Sequence, residues 1–162
     1  MHKILIISTG GTFNKHYNPI DGTLEIDKTS SALHEIASKW LTEFEILNII
    51  GKDSLEMTSQ DRLELLSTIH QSKYKKIIVV HGTDTIDTTA EYLADAELEK
   101  RIVLTGAMVP YAIDPTEATA NLASAYGYLT TLEKEGVFIA MNGVMGSYDK
   151  IKKNRKEGRF TL

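Results

Sequence analysis

The stretch Ile4-Leu-Ile-Ile-Ser-Thr-Gly-Gly-Thr-Phe13 runs from an almost unbroken apolar segment straight into a turn rich in hydroxyls and glycine. An apolar run of this kind, without alternation, is the pattern of a strand buried on both faces, as in a parallel sheet covered by helices. Open α/β sheets place their ligands outside the carboxyl ends of such strands, which is where Ser8-Thr-Gly-Gly-Thr12 falls. Gly10 and Gly11 let the backbone turn tightly and let a ligand approach the main chain. Thr12 offers a hydroxyl nucleophile just past the strand. Taken alone, the same turn is better explained as a strand-terminating turn capped by threonine.

Working outward, the pattern recurs. Lys76-Ile-Ile-Val-Val80 is a second buried strand, and it delivers a second hydroxyl-rich turn, His81-Gly-Thr-Asp-Thr85. Arg101-Ile-Val-Leu104 ends in Thr105-Gly-Ala-Met-Val-Pro110, Glu45 to Ile50 is a further strand, and Val137-Phe-Ile-Ala-Met141 is the last clear one. Between them lie helical patterns: one N-capped by Ser30-Ser31 through Leu33, Ile36, Ala37 and Trp40, and one through Leu63, Leu65, Leu66 and Ile69 with Ser59 or Asp61 as its cap. A third runs through Ala90, Tyr92, Leu93 and Leu98, and a fourth from near Thr116 to about Leu132. This βαβαβα alternation predicts a single-domain, three-layer αβα fold with a mostly parallel, flavodoxin-like sheet, whose strand ends share one crevice. Asn14 to Asp27, with Asn18-Pro19 and Asp21-Gly22, reads as a loop closing in a small hairpin, either a lid or an ordinary surface feature. The polar tail from Tyr148 reads as an edge strand or a partly disordered end.

Composition narrows the function. At 162 residues, 42% hydrophobic and 25% charged, the chain is one globular domain able to build a core without metal or disulfide support. It has no cysteine, which excludes disulfides, thiolate metal sites and cysteine nucleophiles. A net charge of −4 gives no basic footprint for nucleic acid, and the cluster Lys150 to Lys156 reads as a solvated segment or a local patch. No stretch reads as a signal peptide or a bilayer span, so a cytoplasmic location with no membrane partner is expected. The five histidines show no ligand spacing, and no metal or other cofactor is expected. His81 is placed to shape the second turn. Neither Gly-x-Gly-x-x-Gly nor a lysine-bearing phosphate loop is present, which counts against a nucleotide site.

A threonine hydroxyl attacks poorly unless something removes its proton, and Asp84 beside Thr83 is too weak a base to do so alone at neutral pH. A lysine oriented by an aspartate can do it, which draws attention to the lysines after Met141. Capping of a helix by Thr83 or Asp84 is the plain structural alternative.

Ser-Thr-Gly-Gly-Thr at 8–12, Ser-Gln-Asp at 59–61, His-Gly-Thr-Asp-Thr at 81–85 and Gly-Ala-Met at 106–108 followed by Pro110 occur in this order. Together they resemble the successive motifs of the L-asparaginase family, over nearly the whole chain but only for the family's N-terminal domain. The resemblance implies that Thr12 is the first nucleophile on a side-chain amide, beside Gly11, and that Thr83 is the threonine of a second catalytic group. It implies that Asp84 holds the substrate's α-amino group and supports Thr83, and that Ser59 and Gln60 bind the α-carboxylate and amino ends. Lys152 best matches the lysine that pairs with Thr83, with Lys150 and Lys153 as competitors. Tyr17 is the tyrosine nearest the family's mobile-loop tyrosine.

The sequence also departs from the family. Val109 replaces the arginine of Gly-Ala-Met-Arg-Pro, and Asp114-Pro-Thr-Glu-Ala118 replaces the usual Asp-Gly-Pro. The family's second α/β domain, which completes a neighbouring subunit's site, has no counterpart in these residues. The resulting expectation is an amidohydrolase that releases ammonia from asparagine or a related small amide and assembles as a dimer or tetramer. The alternative is a non-catalytic module that binds an amino acid or dicarboxylate.

Overall fold

The computed structural model describes residues 3–162. In chain order the elements are β1 (Ile4–Gly10), β2 (Lys15–Asn18), β3 (Thr23–Ile26), α1 (Ser31–Trp40), β4 (Glu45–Lys52), α2 (Ser59–Gln71) and β5 (Lys76–Val80). They continue with α3 (Ile86–Asp95), β6 (Arg101–Thr105), α4 (Pro115–Thr131), β7 (Gly136–Met141), β8 (Val144–Ser147), β9 (Lys152–Asn154) and β10 (Arg159–Thr161).

Strands β4-β1-β5-β6-β7-β8 form one sheet in that order. The first five run parallel, in the flavodoxin-like order, and β8 turns back antiparallel to β7. The unbroken apolar runs are explained by the cores on both faces. Leu5, Ile7, Ile77, Val79, Ile102 and Leu104 pack on one side with Leu65 and Ile69 of α2 and Ala90 and Leu93 of α3. Their neighbours Ile4, Ile6, Ile78, Val80 and Val103 pack on the other with Leu33 and Ile36 of α1 and Leu122, Ala125 and Leu129 of α4. Each central strand therefore alternates between two dry layers rather than between core and water. Burying one such aliphatic side chain stabilises the fold by about 1.5–3 kcal/mol.

Connections from β1 lead outward to β4, and those from β5 lead the other way through β6 to β7. The order reverses between β1 and β5, so a crevice opens at their carboxyl ends. Both hydroxyl-rich turns lie at that switch point.

Three local expectations need correction. Ser30 precedes α1 in a left-handed conformation with no side-chain cap bond. The cap is Asp27, whose carboxylate accepts the Ser31 amide at 3.0 Å and the Thr29 amide at 2.9 Å. The α2 cap is neither Ser59 nor Asp61 but Thr58, in a reciprocal box with Asp61: the Asp61 amide donates to Thr58 Oγ1 and the Thr58 amide to Asp61 Oδ2. The tail is ordered as an antiparallel β9–β10 hairpin, anchored by fully buried Ile151 and by Phe160, which is 3% exposed. Among the described residues no helix is long and apolar enough to cross a membrane.

Candidate active site

The first turn leaves β1 through Gly11, whose φ of 76° and ψ of 177° fall in a region essentially restricted to glycine. A Cβ on Gly11 would stand 2.5 Å from the backbone nitrogen of Gly82. The two turns thus meet backbone to backbone, which only paired glycines allow. A Cβ on Gly82 would in turn stand 2.8 Å from the Ser54 side chain. Two glycines therefore draw three strand ends, those of β1, β4 and β5, into one contact.

Not every hydroxyl in these turns is free for chemistry. Thr9 Oγ1 donates to Val80 O at 2.9 Å and is fully buried, so it serves the sheet. Asn14 Nδ2 donates to Ser8 Oγ and Gly10 O, pinning the first turn from behind. Thr12 is half-buried, and its hydroxyl has no partner among the described residues. The Gly11 amide donates to Lys52 O at 3.0 Å and so is not free to hold a ligand.

The second turn rests on a buried polar relay. His81 is completely buried, and burial pushes its pKa down to about 4, so the ring is neutral at pH 7. A neutral ring has one donor, and the Gly82 carbonyl at 2.7 Å from Nδ1 can only accept, so Nδ1 carries the proton. Thr89 then donates to Nε2 at 2.7 Å and accepts from Arg62 Nε at 2.9 Å. Arg62 reaches Thr85 Oγ1 at 3.1 Å, and the Thr85 amide donates to Ser54 Oγ at 3.2 Å. Every member of this chain from α2 to the turns is satisfied, which fixes the backbone carrying Thr83 and Asp84.

On the open side of that turn, Lys153 Nζ donates to Thr83 Oγ1 at 2.9 Å and to Asp84 Oδ1 at 2.8 Å. The lysine expected on Thr83 was Lys152, and the structure places Lys153 there instead. The reason is strand parity: Ile151 points into the core, Lys152 outward, and Lys153 back toward the turn. Arg155, one step further on, donates to Asp84 Oδ1 at 2.9 Å and to Asp84 O at 3.1 Å. The Lys153 bond, followed by the weaker pull of Arg155, outweighs burial and holds the Asp84 carboxyl below the usual range.

The remaining expected site residues lie elsewhere. Ser59 and Gln60 are exposed on the first turn of α2, and no hydrogen bond joins them to Thr12, Thr83 or Asp84 among the described residues. Ser54, 1% exposed in the short turn after β4, lies against Gly82 and accepts the Thr85 amide. Asp53 beside it pairs with Lys15, just past Thr12, at 2.7 Å. Tyr17 is 59% exposed on the β2–β3 hairpin, with its hydroxyl over Gly22. At the two departures from the family pattern, Glu117 Oε1 accepts the Met108 and Val109 amides and Asp114 caps α4 by accepting from Thr116 N, so the Asp114 to Ala118 segment organises backbone, while the Val109 side chain is exposed. Among the described residues no three metal-ligating side chains come together.

The fold and site define an α/β domain with two threonine turns in contact at a topological switch point, one of them bonded to a lysine–aspartate pair. The family model "Asparaginase, N-terminal" matches residues 3–161, and the chain belongs to the asparaginase family. It is 32% identical over 168 residues to a probable periplasmic L-asparaginase of Haemophilus influenzae, covering 92% of this chain and 46% of that protein. A probable cytoplasmic L-asparaginase from Campylobacter jejuni superposes with a TM-score of 0.78 and 26% identity, over 99% of this chain and 53% of the other. The thermostable L-asparaginase from Thermococcus kodakarensis, at 23% identity and a TM-score of 0.82 over 98% of this chain and 50% of the other, shares the fold. The chain thus spans about half the length of these relatives.

Proposed function

We propose that this chain carries the reacting groups of an amidohydrolase acting on the side-chain amide of asparagine or a related small amide. The observation that carries it is the Lys153–Thr83–Asp84 cluster, held beside Thr12 by the Gly11–Gly82 contact. In the first half-reaction Thr12 Oγ attacks the amide carbon, its proton passes to the leaving nitrogen, and ammonia departs from an ester on Thr12. The Thr12 amide, next after the committed Gly11 amide, is the nearest backbone donor for the oxyanion. In the second half-reaction water attacks the ester, its proton is taken through Thr83 by Lys153, Thr12 regains its hydroxyl, and the acid is released. Asp84 Oδ1 accepts from the same Lys153 Nζ and keeps it aimed at Thr83.

The family membership, and relatives named as L-asparaginases, support this reading. Gly11 and Asp84 line the substrate's path in it, with Ser59 and Gln60, exposed on the first turn of α2, as the groups for the substrate's α-carboxylate and amino ends. A homo-oligomer, dimer or tetramer, and a cytoplasmic location belong to the same proposal. The second is supported by the cytoplasmic neighbour, while the Haemophilus relative is named as periplasmic.

The test is ammonia release from asparagine, glutamine and a panel of small amides by wild type, Thr12→Ala and Thr83→Ala. Each substitution is expected to lower turnover by about 10²–10⁴-fold, the range for a lost proton-transfer or nucleophilic group. No ammonia from any amide at high enzyme concentration, with dicarboxylate-dependent thermal stabilisation preserved, would instead establish a binding module.

A further inference from the structure

Ser8 and Asn48 are register partners on the parallel strands β1 and β4, so their side chains leave the same face of the sheet, the face of Ile4 and Ile6 that α1 covers. Here the strands are ending and α1 has not yet begun. The gap is a cavity of about 180 Å³, lined by Ser8, Asp27, Lys28, Ser30, Asn48 and the bend at residues 49–51. Its wall carries backbone strain. Ile50 holds a φ of 66°, a left-handed conformation that β-branched residues rarely adopt, and Ser30 one of 55°.

The polar groups around the cavity are unevenly spent. Asp27 has no acceptor site left on either oxygen: Oδ1 takes the Thr29 amide and hydroxyl, and Oδ2 the Ser31 amide and hydroxyl. Ser30 Oγ donates to Asn48 Oδ1. Donors, by contrast, are in surplus. Ser8 is 3% exposed, and its oxygen accepts from Asn14 Nδ2 at 3.1 Å, while its own O–H has no acceptor among the described residues. Asn48 spends one N–H on Thr29 O at 3.4 Å and keeps the other. Lys28 lays its stem along Gly51 and makes no ion pair or hydrogen bond among the described residues. The charges of Asp27 and Lys28 offset each other, so the unspent groups decide what fits. A hydroxyl proton, an amide proton and an ammonium around one cavity match an acceptor-rich anion. A cation would meet Lys28 and find no carboxylate oxygen free.

We propose that this cavity at the ends of β1 and β4 binds a small oxyanion, a carboxylate or a phosphate, through Ser8, Asn48 and Lys28. None of Thr12, Thr83 and Asp84 lines it, so the site stands whether or not the chain is an amidohydrolase. Its occupation reaches the first turn through Asn14, whose Nδ2 donates to both Ser8 Oγ and Gly10 O. An anion that accepts the Ser8 proton makes Ser8 Oγ a stronger acceptor for Asn14, which tightens the backbone leading to Thr12.

The experiment reads binding by calorimetry and thermal shift at constant ionic strength, with acetate, inorganic phosphate and, for the opposite charge, methylammonium. It compares wild type with Lys28→Met, Asn48→Asp and Lys153→Met. Lys28→Met keeps the stem over Gly51 and removes the charge. Asn48→Asp keeps an oxygen for Ser30 and replaces the spare N–H by a second carboxylate oxygen. Lys28 and Asn48 are both exposed, so both variants are expected to fold, and melting points without ligand check this. At least one of the two anions is expected to bind and raise the melting point, acetate alone marking a carboxylate site and phosphate alone a phosphate site. Lys28→Met is expected to weaken that binding about tenfold or more, as loss of a charge-assisted bond does, and Asn48→Asp at least as much. Lys153→Met, at the second threonine turn, is expected to leave it unchanged. No binding of either anion at tens of millimolar, methylammonium bound more tightly than both, or binding unchanged in Lys28→Met or in Asn48→Asp would each overturn the inference. Binding lost in Lys153→Met would overturn it too, by moving the anion to the threonine turns.

Discussion

The first and second threonine turns sit on adjacent strands and touch through their glycines, yet they are held by opposite means. The turn at Thr12 is fixed by backbone: a glycine-only conformation at Gly11, the Gly11 amide on Lys52 O, and Asn14 pinned behind it. Its hydroxyl is left without a partner among the described residues. The turn at Thr83 is fixed by buried side chains, His81, Thr89 and Arg62 in series, and its hydroxyl is taken by Lys153. One turn presents a free hydroxyl on a rigid main chain, and the other a hydroxyl bonded within a polar network. They should therefore fail differently, the first to added bulk and the second to changes in charge.

The largest effect is expected where bulk enters the first turn. Gly11→Ala puts a methyl group 2.5 Å from Gly82 N at a φ of 76°. Backbone strain and the clash together are expected to cost about 3 kcal/mol or more, and to abolish ammonia release by separating the turns. An unchanged urea midpoint would show that the two backbones do not meet as described. Charge comes next: Lys153→Met is expected to lower turnover about 10²–10³-fold without loss of folding, whereas Lys152→Met stays within a few-fold. Equal losses in the two variants would break the assignment of Lys153 to Thr83.

The second turn also carries a pH signature that the first lacks. His81 in the unfolded chain protonates near 6.5 and in the folded chain only near 4, because burial disfavours the charged ring. Between these values the unfolded state binds the proton and the folded state does not, so stability falls as pH drops from 6.5 toward 4. The loss approaches about 3 kcal/mol, with the full contribution restored above pH 6.5. Asp27 and Asp84 are both held below their ordinary 3.8, Asp27 because bonds from Ser31 and Thr29 outweigh its burial, and their losses come at lower pH still. Urea midpoints from pH 7.5 to 4.5 should slope downward in wild type. In His81→Gln, which has no proton to gain there, that slope should flatten.

The central sheet was legible in the sequence because its strands are dry on both faces, and a run such as Lys76 to Val80 has no other stable use. The meeting of the two hydroxyl-rich turns at neighbouring strand ends, which carry Thr12, Thr83 and Asp84, was legible too. Position was not legible where it depends on contacts between distant segments. The tail from Tyr148 is mostly polar, and only Ile151 and Phe160 reveal that it packs on the core. Taking Ile151 as an inward residue would have placed Lys153 on the same side and Lys152 on the other, so the signal for the correct lysine was present. Ser54 gave a weaker signal. Its turn is three residues long, and what brings it against the second threonine turn is the close approach of Gly82, which no local pattern encodes.

The smallest effects separate Ser54 from the residues first expected in its place. Ser54 Oγ accepts the Thr85 amide in a nearly inaccessible position against Gly82. Removing it leaves that amide to find another partner, so Ser54→Ala is expected to cost about 1 kcal/mol of stability. A larger effect is expected on KM than on kcat, because the turn that carries Asp84 loosens while Lys153 and Thr83 keep their bond. Ser59→Ala and Gln60→Ala remove exposed side chains from a helix whose cap is made by Thr58 and Asp61. Both should stay within about 0.5 kcal/mol of wild type in stability, as surface substitutions usually do, and within twofold in KM. A KM raised tenfold by Gln60→Ala, with Ser54→Ala neutral, would mean that the first turn of α2 closes over the ligand and that the crevice is bounded by the helix rather than by the turn after β4.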